Sequence, residues 1–494
     1  MSQPTQPGPL TGETAKINSS LDMNSCEKRP SQNADIEIYV DPVIEKRILR
    51  KLDSHLAPIF MSLYFLSYLN RSNIGNAAVA GMNDQLNLSA GQYSTVVSVF
   101  YATYVGLIFP LVLALRKMKP HRAMTVMATG WSLVTIGTAF CKSYGALVAC
   151  RLLLGVCEAG FFPCISLYMT MIYNRQEQGL RFAYLFSSMA LSGMFGGLVA
   201  TGITYIGTAG GLRAWSWLYI IEGVVSLTIV PFVWFGLPEN PAQAKFFTAE
   251  ELEVLAAREL KRREYMGDSK FSWAQVRSVL GHWRIYAAAS VQFLQDIVLY
   301  GFSTFLPSIL RNDLGYTGLQ AQYLSVPVYA LGGISFFVAA MLGDRYGLRG
   351  SFLAFLDVFA VVAYLLILLV PISGVKYFAC YLVALPLYCG AGLNEMWIAN
   401  NTAPHYRRAT AIGFSQAIGN LAGIVSGQVY RGAPYRLGNW FSFACTVLAM
   451  MLIAVQIMYF RRLNAHKSRI QRGEIADDRV GEEGEDNLEF RYIY

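Results

Sequence analysis

Apolar residues run through the chain in long uncharged blocks separated by short polar turns. Windows of about 19 residues mark twelve such blocks: 56–82, 93–115, 123–141, 144–173, 182–206 and 217–237, then 285–310, 321–342, 352–371, 377–399, 411–429 and 440–460. At about 1.5 Å per helical residue, each can cross a hydrocarbon layer of about 30 Å. The polar stretch 238–281 divides them six and six. The pattern predicts an all-α integral membrane protein of twelve transmembrane helices in two six-helix halves. The expected parts are a tail over 1–55, halves over 56–237 and 285–460, a linker over 238–284 and a second tail over 461–494.

Composition agrees. Of 494 residues, 54% are hydrophobic and 15% charged, against about 25% charged in a soluble chain. That leaves too little charge to cover a soluble core, and it excludes a disordered chain and a small disulfide scaffold. The net charge of +8 does not signal a nucleic-acid partner, because the positive residues are dispersed through connecting loops. Arg116, Lys117, Lys119, Arg122, Arg175, Arg181, Arg345, Arg349, Arg407 and Arg408 fall on one side, with Lys261, Arg262, Arg263, Lys270 and Arg277 of the linker. The opposite loops hold fewer, which assigns the rich side and both tails to the cytosol.

The first 55 or so residues lack the apolar core of a cleavable signal. Thr248 and Glu251 form a capping box ahead of Leu252 and Leu255. Ser272 is placed to cap an amphipathic piece with Trp273, Val276 and Leu280, so the linker reads as an interfacial helix or a solvated tether. The acidic end, with Glu482, Glu483, Glu485, Asp486 and Glu489, reads as disordered. Cys141, Cys150, Cys157, Cys164, Cys380 and Cys389 lie in or near apolar blocks and read as reduced packing residues. All five His fall in regions assigned to the cytosol, and none at membrane depth. Neither metal-ligand spacing nor a phosphate loop, dinucleotide fingerprint or nucleophile triad appears. No cofactor and no enzyme activity is expected.

An ionisable residue at membrane depth costs about 2.5–3.5 kcal/mol on insertion scales and faces a cavity or a partner. Arg71, Arg151, Glu158, Glu222, Asp296, Asp357 and Glu395 qualify. Arg71 is about 22 Å up its span and Arg151 about 10 Å down its own, so the two reach similar levels. Two guanidiniums at one level fit an anion held between them. The alternatives are that Arg71 snorkels outward or that Arg151 binds a carbonyl or carboxylate. Glu158 lies two turns from Arg151 on one face and is a candidate proton carrier or a static salt-bridge partner. Asp296, with Tyr300 on its face, suits a cavity wall and proton coupling. Glu222 reads as structural. Trp397 and Asn401 bring an indole and an amide to span ten, where they can stack on and bond a substrate or tie helices together.

Several motifs add a family resemblance. Tyr68-Leu-Asn-Arg-Ser-Asn-Ile-Gly-Asn-Ala77 resembles the first-span motif of the anion:cation symporter family within the major facilitator superfamily, in its fungal allantoate/nicotinate permease branch. Arg151-x-x-x-Gly155-x-x-Glu158-Ala-Gly-x-x-Pro163, Trp217-Leu-Tyr-Ile-Ile-Glu-Gly223, Leu237-Pro-Glu-x-Pro241 and Trp397-Ile-Ala-Asn-Asn401 also look like this branch. The resemblance implies a major facilitator fold, a small organic anion such as a carboxylate or vitamin, and a proton as coupling ion. Two departures stand out. Asn70 occupies a position where the branch usually has Asp. Span two reads Leu107-Ile-Phe-Pro-Leu-Val112 where the branch usually carries a carboxylate.

The expected function is secondary active transport of a small organic anion by alternating access. Arg71, Arg151, Tyr300, Trp397 and Asn401 would bind it, and Glu158 and Asp296 would couple the proton. The expected setting is a monomer in the lipid bilayer, by default the plasma membrane. A facilitative or efflux carrier of a more apolar metabolite, and a non-transporting sensor, are the rivals.

Overall fold

The computed structural model describes residues 42–115, 118–173, 175–239, 244, 246–266, 273–403, 405–476, 485 and 487–494. Its helices are α1 (Pro42–Val79), α2 (Met82–Gln85), α3 (Ala90–Leu115), α4 (Pro120–Thr138), α5 (Tyr144–Glu158), α6 (Phe161–Ile172), α7 (Arg175–Ile206) and α8 (Ala214–Gly236). Then follow α9 (Ala249–Met266), α10 (Trp273–Leu280), α11 (Trp283–Asn312), α12 (Gly318–Tyr346), α13 (Arg349–Leu369), α14 (Ser373–Asn400), α15 (His405–Val429) and α16 (Arg436–Gln471). The twelve apolar blocks map onto α1, α3, α4, α5 with α6, α7 and α8, and onto α11 to α16.

Local chemistry sets several ends. Ser143 Oγ accepts from Ala146 N at 3.3 Å and opens α5. Thr317 and Gln320 form a reciprocal capping box on α12. The fourth block is one span, Tyr144–Met169, whose helix is only locally broken at Ala159–Gly160, both of which keep right-handed helical dihedrals.

Eight of the described helical segments are long and apolar enough to cross a membrane. Helix α1 is not among them because one face is polar, yet Ser67, Asn70, Arg71, Asn73 and Asn76 on it are all buried. The outer surface is the reverse: Phe235 is 85% exposed and Tyr205 78%. Polar groups inside and bare aromatics outside suit a molecule solvated by lipid.

Across the middle, α7 packs along α12 and α3 along α15, with α1 against α11. On α1, α3, α11 and α15 the contacts named below lie toward the ends remote from the basic loops, whereas α7 and α12 also meet nearer the middle, with the Phe186 and Phe336 ring centroids 6.2 Å apart. Arg311 Nη1 donates to the Val79 carbonyl at 2.9 Å. Ser98 Oγ donates to the Ile424 carbonyl at 3.0 Å and accepts from Gln428 Nε2 at 3.1 Å. Gly75 lies against the Thr304 carbonyl so closely that a Cβ would come within 2.1 Å of that oxygen.

The basic ends are braced from outside. Helix α9 is tied to α1 and α7 by ion pairs. Lys51 of α1 binds Glu251 at 2.7 Å, and Arg258 binds Glu177 at 2.8 Å and Glu45 at 3.4 Å. The expected Thr248–Glu251 box is present, at 2.9 and 3.4 Å. The Lys51 ammonium, bonded to Glu251, holds that carboxyl below its usual range. Ser272 lies outside the described residues, as do the tail over 1–41 and Glu482, Glu483 and Asp486.

Residues 487–494 are packed against the body of the protein where disorder was expected. Tyr492 stacks on Phe460 with centroids 5.0 Å apart and planes at 8°. Asn464 holds the Tyr492 backbone, Oδ1 accepting from its N at 2.9 Å and Nδ2 donating to its O at 2.8 Å. Glu485 pairs with Arg284. An acidic run looks solvated by composition alone. Buried cations on α11 and α16, Arg284 and Lys467, supply the partners.

A cavity lined by aromatic rings and one guanidinium

Helical spacing builds the site. On α1, Tyr64, Tyr68 and Arg71 recur at four and three residues and share a face. On α11, Gln292, Asp296 and Tyr300 recur every four, as Gln416 and Asn420 do on α15. These residues, with Tyr104, Phe162, Phe186 and Ala391, line a narrow cavity with room for little more than a water molecule.

Arg71 enters from α1. Its Nε donates to Glu158 Oε2 at 2.7 Å, and its Nη2 donates to Ser67 Oγ at 3.4 Å. Ser67 Oγ also donates to the same carboxylate oxygen at 3.0 Å. The guanidinium lies 4.5 Å from the Tyr104 ring centroid, 5.0 Å from Tyr68 and 5.4 Å from Phe100. Stacked rings hold a cation by their faces and leave its edge for hydrogen bonds. Among the described residues, Nη1 of Arg71 makes none.

The opposite wall belongs to α11 and α15. Gln292 Nε2 donates to both oxygens of Asp296 at 3.1 Å. Tyr300 donates its hydroxyl proton to Asn420 Oδ1 at 2.9 Å. Asn394 Nδ2 fixes Gln292 by donating to its Oε1 at 2.8 Å.

The cavity thus gathers Arg71, Asp296 and Tyr300, with Glu158 directly behind Arg71. It does not gather the remaining three sequence candidates. Arg151 is buried elsewhere on α5, with Nη1 donating to the Asn70 carbonyl at 3.4 Å and Nη2 to the Tyr219 hydroxyl at 3.3 Å. The two arginines therefore do not form one clamp here, and a carbonyl holds Arg151. Trp397 and Asn401 lie at the basic end of α14. Trp397 Nε1 and Asn401 Nδ2 both donate to the Ile493 carbonyl, at 2.8 and 2.9 Å, and Asn401 Oδ1 accepts from Ile493 N at 2.8 Å. They grip the chain's own last residues and do not line the cavity.

The other buried carboxyls have separate settings. Glu222 accepts from Asn73 Nδ2. Asp357 accepts from Gln295 Nε2 at 2.6 Å. Glu395 Oε1 has no hydrogen-bond partner among the described residues. Sequence reasoning passed over Tyr64, Tyr68, Tyr104, Gln292, Gln416 and Asn420. The signal for most of them was their four-residue spacing from one another or from a buried charge. Among the described residues, no group of three His, Cys, Asp or Glu is placed to hold a metal.

Comparison with known proteins places this geometry. Residues 60–427 match the family model described as Major Facilitator Superfamily. An uncharacterized transporter of Schizosaccharomyces pombe is 49% identical over 92% of this chain and 95% of its own. The high-affinity nicotinic acid transporter of Saccharomyces cerevisiae is 38% identical over 91% of this chain and 85% of its own. Among solved structures, a bacterial homolog of the human lysosomal transporter Spinster, inward-facing and unoccupied, superposes with a TM-score of 0.62. It covers 84% of this chain and 96% of its own, at 14% identity.

Proposed function

The chain belongs to the Major Facilitator Superfamily and is a multi-pass membrane transporter, and we propose that its cargo is a small organic anion that travels with a proton. The observation that carries this reading is Arg71, a buried guanidinium with an open edge, lining the cavity between the halves. A carboxylate is the natural partner for that edge. The printed name of the yeast relative, a nicotinic acid transporter, supports a cargo of this size and charge.

The Arg71–Glu158 pair supplies the coupling. While Glu158 is ionised it competes with an incoming anion for the guanidinium. A proton on Glu158 removes that competition and frees Arg71 for the cargo. Anion and proton then enter together, and the desolvated site keeps its net charge. Two unbalanced charges at that depth would be costly.

Access alternates between the two ends. On α1, α3, α11 and α15 the contacts between halves lie on the remote side of the cavity, as Gly75, Ser98, Thr304 and Ile424 show. With the basic ends assigned to the cytosol, this is the inward-facing arrangement. The plasma membrane is the setting we assign. The test is uptake by purified protein in liposomes of labelled small carboxylates, with and without an inward acid gradient. Accumulation that collapses with the gradient supports the reading. Equilibration indifferent to it overturns the coupling, and no movement of any carboxylate overturns the cargo class.

A further inference from the structure

The two walls of the cavity are unequal in a way that bears on which anions fit. On the α1 wall, the Arg71 guanidinium already has a full counter-charge in Glu158, at 2.7 Å. On the α11 wall, Asp296 is 2% exposed and lines the cavity with only one neutral amide, Gln292 Nε2, shared between both its oxygens. Among the described residues no cation pairs with it. The groups facing it are Tyr68 and Arg71 from α1, Tyr300 from its own helix and Glu395 from α14. Helix α15 offers no charge there, only Gly419, so close that a Cβ would lie 2.5 Å from Asp296 Oδ2. The carboxylate is therefore pinned, and cannot swing away to find a partner.

An anion without a positive group would add one more negative charge to a cavity that already holds an uncompensated acid. A cargo with a positive end satisfies both walls at once. Between the walls, the rings of Tyr64, Tyr68, Tyr104, Phe162 and Phe186 offer faces on which a flat body can stack. We infer that Asp296 receives the positively charged end of the cargo, so that the transported class is a small, flat, zwitterionic carboxylate. This rests on the reading of Arg71 as the anion anchor, and it makes Asp296 a specificity residue where the sequence alone suggested a proton carrier.

The test compares ligands of nearly one shape in the full-length protein reconstituted in liposomes. The probes are benzoate, pyridine-3-carboxylate and N-methylpyridinium-3-carboxylate, whose fixed charge does not depend on pH. Competition in counterflow and ligand-induced thermal shift are both read. In the unsubstituted protein the N-methylpyridinium probe should outcompete benzoate by about tenfold or more, as expected where a buried polar group is otherwise unpaired. Asp296→Asn should shrink that gap to about twofold or less, tightening benzoate binding while weakening that of the N-methylpyridinium probe. Retention of the gap in Asp296→Asn, or its absence from the unsubstituted protein, overturns the inference.

Should Asp296→Asn not fold, Gln292→Leu tests the same point from the other side. Removing the amide takes away the one donor that favours the charged carboxylate, so the preference for the ring cation should shrink; an unchanged or larger preference overturns the inference. Arg71→Gln separates this inference from its premise. If all three probes still bind Arg71→Gln as before, the anion reading itself fails. If that variant loses them all while Asp296→Asn keeps the gap, only the role of Asp296 fails.

Discussion

Glu158 Oε2 accepts hydrogen bonds from both Arg71 Nε and Ser67 Oγ, at 2.7 and 3.0 Å, while its other oxygen has no partner among the described residues. A carboxylate held on one side only is tied to its arginine and still has an open oxygen where a proton can sit.

Replacing Glu158 by Gln keeps the shape and removes the charge. The variant should bind and exchange cargo but lose accumulation driven by an acid gradient, with the pH dependence of uptake flattened. Arg71→Lys keeps charge but loses the planar fork, and should weaken cargo binding by about tenfold or more. Liposome uptake and exchange, measured side by side, check both.

Gly75→Ala addresses the seam. The added methyl would meet the Thr304 backbone carbonyl at 2.1 Å, and backbone cannot move aside as a side-chain tip can. Overpacking of this kind costs about 1–3 kcal/mol, charged only to the arrangement in which the remote ends touch. Cysteines placed at the remote mouth should label faster in Gly75→Ala, and net uptake should fall.

The segment over 487–494 makes a third case. Asn401→Ala removes two hydrogen bonds to Ile493, worth about 1 kcal/mol each net. The melting temperature should drop, and amide exchange should quicken both at 490–494 and at 401–403, where Glu485 Oε1 accepts from Ala403 N at 3.1 Å. Transport specificity should not change, because Asn401 does not reach the cavity.

Asp313 closes α11 at the remote end. Burial pushes its carboxyl from 3.8 up to about 6, against the pull of Lys376. The folded state thus binds this proton more tightly than the unfolded chain. Its contribution is fully present below about pH 4 and is lost as pH rises through about 6. Asp313→Asn should flatten thermal stability across that window.

The apolar blocks made the spans legible, and the rule that charge at depth faces a cavity found Arg71, Asp296 and Tyr300's face. Depth alone misled for Arg151. Counting residues gives a level along the membrane but not the direction in which a side chain leaves its helix, and one residue's error turns it by about 100°. Trp397 and Asn401 failed for another reason. A polar cluster near a helix end looks the same whether it faces a ligand or a distant strand of chain, and Ile493 lies 92 positions from Asn401. The local break at Ala159–Gly160 was hidden inside an apolar run, where it leaves no polar mark.

The pairing of Arg71 with Glu158 also has an electrical side. One elementary charge crossing the bilayer exchanges about 2.3 kcal/mol with every 100 mV of membrane potential. A carrier whose monovalent anion arrives with one proton moves no net charge and exchanges none of that energy. The zwitterionic cargo inferred from Asp296 is already neutral, so the same proton would carry one positive charge inward, and a cell that depolarised would lose part of the cargo it had gathered.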